Sequence, residues 1–146
     1  MAITYDVPQL LKMSQADLDT LFKQSEPGPI PNGQAKGTAI IAPGTTIGLE
    51  LAEFINLFVW EGKTFNAAKG LLTNRILGGF NAIIAKVRND TSWLDGKPCI
   101  VLDYSETSVV AHWIRDEIRL IGPGFYLGVV YWGKSRLINF SLQFGA

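Results

Sequence analysis

The sequence predicts a mainly β protein: an antiparallel up-and-down β-barrel of about eight strands, with an N-terminal helix and one helix after the first strand. Two observations carry this. Fifteen glycines accompany eight Phe, four Trp and four Tyr, and aromatic and β-branched runs punctuated by glycine favour strands with tight bends over a helical bundle. In the second half of the chain these runs follow one another through short turns without intervening helices, which argues against parallel βαβ units. Closing such a meander into a barrel removes its exposed edges.

The elements follow in order. Residues 9–25 read as helix, with Ser14 and Asp17 spaced as an N-terminal cap and Leu18, Leu21 and Phe22 on one face. The prolines and glycines of PGPIPNG (27–33) end it and make a stiff connection. QAKGTAIIA (34–42) is the first strand, closed by Pro43-Gly44. Residues 47–59 place Leu51, Phe54, Ile55 and Phe58 at amphipathic helical spacing; this helix plugs the barrel mouth, or serves as a lid or a homodimer contact. Strands are then expected at 60–65, 71–77 and 80–88, the last two hinged at Gly78-Gly79, a dipeptide that permits the positive φ of a hairpin turn. Further strands span 98–104, 113–121, 125–132 and 136–144, separated by the turns at Asp95-Gly96, Gly122-Pro123-Gly124 and Gly133-Lys134-Ser135.

A chain of 146 residues suits a single domain that buries roughly two-thirds of its unfolded surface. Thirteen basic residues balance thirteen acidic ones, so the charge pattern fits neither a nucleic-acid footprint nor a polybasic membrane patch. The apolar stretch near 49–60 is interrupted by Glu50, Glu53 and Asn56 and is too short to span a bilayer. MAITYDVPQL resembles no signal peptide, and the single cysteine, Cys99, fits a reducing compartment. A cytoplasmic protein is expected. One Cys and one His (His112) cannot build a structural zinc site, and no metal or cofactor is expected. Nucleotide-binding and hydrolase motifs are absent from the sequence.

The blocks PGPIPNG, GTAIIAPGT (37–45), WEGKTF (60–65), SWLDGKPCIVLDYSETS (92–108), RDEIR (115–119) and GPGFYLG (122–128) resemble an uncharacterised bacterial protein family. The layout is also similar to lipocalin-like (calycin) small barrels, a resemblance that implies an interior able to hold one small apolar ligand and carries no particular activity.

Strand alternation sorts the polar residues. Within 113–121, Ile114, Asp116, Ile118 and Leu120 share one face and Arg115, Glu117 and Arg119 the other. A row of alternating charge is commonplace outside a barrel. That choice sends Asp116 inward, where a lone charge is costly and demands a partner. The converse arrangement would put two arginines inside, suited to a carboxylate or phosphate. Asp103 can accept from an arginine of an adjacent strand, and Tyr104 belongs with Ile100 and Leu102 in a core-like set. In the last strand Ile138, Phe140, Leu142 and Phe144 read as the core face, leaving Asn139 on the surface; a wide ligand cavity with polar hooks would reverse the two faces.

The catalytic candidates are therefore Asp116, Glu117 and Tyr104. The ligand-binding candidates are Arg115, Arg119, Asp103, Lys63, Tyr126 and Trp60, with Asn74, Arg75, Asn81, Tyr131, Asn139 and Gln143 as further polar residues of interest. His112 as a haem ligand and Cys99 as a nucleophile are the weaker alternatives. The leading expectation is a binding protein for a small lipophilic or aromatic molecule, one that can bear a carboxylate. The alternative is a metal-independent isomerase, cyclase or hydratase. There Asp116 or Glu117 would act as general base and Tyr104 or Arg119 would stabilise the oxyanion. A third is an interaction role for the 47–59 helix.

Overall fold

The computed structural model describes residues 5–42, 63–74, 83–105 and 113–145. Two helices, α1 (Val7–Lys12) and α2 (Gln15–Gln24), precede eight strands. These are β1 (Gly33–Ile40), β2 (Lys63–Asn66), β3 (Leu71–Asn74), β4 (Ile83–Thr91), β5 (Pro98–Asp103), β6 (Ile114–Gly122), β7 (Phe125–Trp132) and β8 (Ser135–Phe144). Each strand pairs antiparallel with the next, and β8 pairs with β1 to close the barrel. The expected fold class is thus met. The 47–59 helix, the Gly78-Gly79 hinge, Trp60, Arg75, Asn81 and His112 lie outside the described residues.

The expected single helix over 9–25 is two. Asp6 and Gln9 form a reciprocal capping box that starts α1 ahead of the expected position. Ser14 caps a new helix, its Oγ accepting from the Asp17 backbone N–H at 3.1 Å. A capping residue has extended backbone angles, so a cap inside a helical run divides that run.

Alternation along the strands gives the barrel its two faces. Inward lie Ala35, Phe65, Leu72, Ala85, Val87, Ile100, Leu102, Ile118, Val130, Phe140 and Leu142, among others, in one buried cluster. The outer faces of β6 and β7 contribute Ile121, Phe125, Leu127, Val129 and Tyr131 to a second cluster with Leu10, Leu18, Leu21 and Phe22 of the helices. Strand β7 is therefore covered on both faces, which is why Phe125 to Tyr131 reads as an unbroken apolar run. Gly128 lets the Phe140 ring lie against the wall: a Cβ there would fall 2.2 Å from Phe140 Cζ.

Residues 26–32 close one end of the barrel. The Leu120 backbone N–H donates to the Glu26 carbonyl, the Tyr126 hydroxyl donates to the Pro29 carbonyl at 2.7 Å, and Ile30 packs on the inner cluster. Gly28 takes φ +68° with Leu120 so near that a Cβ would meet it at 2.7 Å. Both the angle and the contact require glycine.

Candidate functional site

Asp116 points into the barrel and the Arg115–Glu117–Arg119 row points out, one of the two arrangements that strand alternation leaves open. Inside, Asp116 meets two polar side chains from other parts of the wall. Lys63 is the first residue of β2, and Tyr104 follows the last residue of β5. The Lys63 ammonium donates to the Tyr104 hydroxyl at 3.1 Å and lies 3.9 Å from Asp116 Oδ2. All three are buried, surrounded by Leu102, Ile114, Ile118, Val130 and Phe140 of the inner cluster. Lys63 Nζ also sits 5.8 Å from the ring centroids of both Tyr104 and Phe140, a distance at which the ring faces help to hold a cation. Asp116 Oδ1 accepts no hydrogen bond.

Burial sets the electrostatics. It pushes the Asp116 carboxyl up to about 6, with the Lys63 charge and the Tyr104 hydroxyl opposing the rise. It pulls the Lys63 ammonium down to about 8, with the Asp116 charge opposing the fall. Near neutrality the two face each other as ions, yet each lies within reach of its neutral form. The group offers a proton donor, a proton acceptor and an open acceptor oxygen beside the apolar residues of the inner cluster.

The outer row has a different part. Glu117 is fully buried beneath the turn that joins β4 to β5. Its carboxylate accepts from Ser92 Oγ at 2.6 Å, from the Trp93 backbone N–H at 2.8 Å and from both Nε and Nη2 of Arg115. The Arg115 guanidinium lies over the Trp93 ring at 4.3 Å and donates to the Thr91 carbonyl. Arg119 donates to Asp95 through two nitrogens and to the carbonyls of Phe22, Lys97 and Pro98, so that all its donors are engaged. Held by Arg119, Asp95 falls to about 2. The row fastens the 92–97 turn and α2 to the wall.

The remaining candidates fall in several places. Asp103 is on the outer face; burial raises its pKa, but hydrogen bonds from Ser105 and Arg88 outweigh that and leave it lowered. Its ion pair is with Arg88 of β4 at 2.8 Å. Tyr126 faces inward but spends its hydroxyl on Pro29, at the closed end. Gln143 is exposed, and Tyr131 lies under the helices. Asn139 is on the outer face as expected, but is not a surface residue. Its Nδ2 donates to the Gly128 carbonyl and its Oδ1 accepts from Gln15 of α2, which covers it. Cys99 is buried, its thiol pushed up to about 12 by burial.

Sequence reasoning set Asp116 and Tyr104 together as one option for a catalytic site and did not join Lys63 to them. Lys63 and Tyr104 are 41 residues apart, and no local periodicity links strands that become neighbours only across a barrel. Ser92 was missed altogether, although its place at the head of a Trp-Leu-Asp-Gly turn is a turn-residue signal.

The architecture and this cluster define a class of protein: a closed eight-stranded antiparallel barrel with ionisable groups set into an apolar interior. No protein-family model matches the chain, and no curated protein does. A solved structure is similar to it. The crystal structure of a protein from Thermomonospora curvata superposes with a TM-score of 0.62 over 92% of this chain and 90% of that one, at 16% identity. That likeness establishes the fold and assigns no residue a role.

Proposed function

We propose that the chain, as one lipocalin-like barrel domain spanning 1–146, is a cytoplasmic binding protein for a small lipophilic or aromatic molecule held inside the barrel. The observation that carries this is the Lys63–Tyr104–Asp116 group. A few convergent polar groups on an apolar surface are the usual makeup of a small-molecule site, and a buried carboxylate oxygen without a donor is costly unless something fills the need. Lys63 and Tyr104 suit a carboxylate or carbonyl on the ligand, and Asp116 Oδ1 suits a hydroxyl or amine. Arg115, Arg119 and Asp103 then serve as braces of the wall rather than ligand contacts.

Native mass spectrometry of the purified protein, with titration of a fluorescent fatty-acid analogue, tests the proposal. Saturable binding that is weakened at least tenfold by a Lys63→Met/Asp116→Asn double variant supports it. Absence of any bound or bindable small molecule defeats it.

A second reading, a metal-independent isomerase, cyclase or hydratase, draws on the carboxyl at about 6 beside the ammonium at about 8, values matched to general acid–base work near neutrality. In it Asp116 moves the proton and Tyr104 steadies the developing oxyanion. Glu117, tied to Ser92, Trp93 and Arg115, has no part. An Asp116→Asn variant that folds and retains any turnover detected in the wild type rejects this reading.

A further inference from the structure

We propose that the barrel captures aldehydes covalently, through a reversible imine between Lys63 Nζ and the carbonyl carbon of a lipophilic or aromatic ligand. The inference rests on the binding function above and names the ligand class for that site. A lysine on the inner wall is set in an apolar cluster, with a phenol 3.1 Å from its nitrogen and a carboxylate 3.9 Å away. These are the groups that imine formation needs, and their placement on three parts of one inner wall fixes them around a common point.

A lysine amine in water is protonated near neutrality and a poor nucleophile. Burial brings Lys63 down to about 8, so a substantial neutral fraction exists under mildly alkaline conditions. The step balances without an added oxidant or reductant. The neutral amine attacks the carbonyl carbon and forms the C–N bond, the carbonyl oxygen takes up a proton, and the nitrogen gives one up. The carbinolamine hydroxyl then leaves as water on protonation, the nitrogen lone pair closes the C=N bond, and the remaining N–H proton completes or leaves the iminium. Asp116, whose Oδ1 holds no hydrogen bond, is the positioned carrier of these protons. The Tyr104 hydroxyl, beside the nitrogen, donates to the carbonyl oxygen as it gains charge. The same dryness that raises the cost of the charged pair protects the imine from hydrolysis.

The test incubates the intact protein with substoichiometric cinnamaldehyde at mildly alkaline pH, reduces with borohydride, and maps the adduct by peptide mass spectrometry. The expected result is a mass gain equal to the aldehyde less its oxygen on the peptide containing Lys63, at least tenfold above that on any exposed lysine. Lys63→Met and Lys63→Met/Asp116→Asn should both lose it while keeping the wild-type circular dichroism spectrum. The double variant covers a folding defect in the single one. Cinnamyl alcohol, which has the same shape without the carbonyl, is titrated in parallel by displacement of a fluorescent probe. If the alcohol binds and the aldehyde leaves no Lys63 adduct, the imine is wrong and the binding function stands. If neither binds, both fall. Adducts spread over exposed lysines, unaffected by Lys63→Met, also overturn the imine.

Discussion

Asp116 and Lys63 are a buried ion pair at 3.9 Å, too long to repay in hydrogen bonding what their desolvation costs. The folded-state value of Asp116 is raised from 3.8 to about 6. Its favourable contribution is therefore full below 3.8 and is lost as pH rises through 6. Lys63 is lowered from 10.5 to about 8, so its favourable contribution is full above 10.5 and is lost as pH falls through 8. The pair is most expensive between these limits. Chemical denaturation should show the wild type gaining on Asp116→Asn as pH drops from 6 toward 4. A difference independent of pH contradicts the assignment. At pH 7 a Lys63→Met/Asp116→Leu double variant should be about 1–4 kcal/mol more stable than the wild type, as when other buried pairs are replaced by hydrophobic residues of similar volume. The Glu117 contacts stabilise the fold instead, because each carboxylate oxygen has good donors. Glu117→Gln turns an amide donor toward the donors of Ser92, Trp93 or Arg115. It should cost about 3 kcal/mol in the same denaturation measurement.

At the scale of elements, α2 is held by its apolar face and by polar ties of known geometry. Phe22 is fully buried and lies 4.5 Å from the Arg119 guanidinium, which also takes the Phe22 carbonyl at the helix end. Arg136 of β8 grips Asp19 with two nitrogens, and Gln15 bonds Asn139. Arg119→Lys keeps the charge but cannot reproduce the fork on Asp95 or reach the three carbonyls together. Hydrogen exchange should then accelerate in both Gln15–Gln24 and the 92–97 turn, with a loss of about 2 kcal/mol. Acceleration confined to one of the two would break the claim that Arg119 couples them. The division of the 9–25 run into α1 and α2 belongs to this scale too. Both caps, Asp6/Gln9 and Ser14/Asp17, are written in the sequence as short-range spacings, and the helical periodicity of 18–22 masked their consequence.

For the whole molecule, the N-terminal helices cover outer-wall residues that would otherwise leave Ile121, Leu127, Val129 and Tyr131 bare. Removing residues 1–25 should expose them. The truncated chain is expected to bind a hydrophobic dye and to associate, as light scattering would register; a dye-silent monomer argues against the cover. Among the described residues, no helix is long and apolar enough to cross a membrane. A ligand bound inside the barrel should raise stability by about 2.7 kcal/mol at a hundredfold excess over its Kd. A melting temperature that does not respond to a ligand shown to bind would place the binding elsewhere than on the folded barrel.

Much of this was legible in the chain itself. Strand periods, turn residues and the absence of helices in the second half determined the closed meander, because side chains alternate and sheet edges must be paired. The same alternation put Asp116 on the face of Ile114 and Ile118, and the Phe-rich face of β8 inward. Tertiary structure decided what lies beyond one strand. It buried Glu117 and Asn139 under a turn and a helix, since an outer face is solvated only if nothing packs on it. It chose Arg88 as the partner of Asp103, and it brought Lys63 to Asp116. Barrel closure sets which distant residues share an interior, and no spacing along the chain encodes that distance.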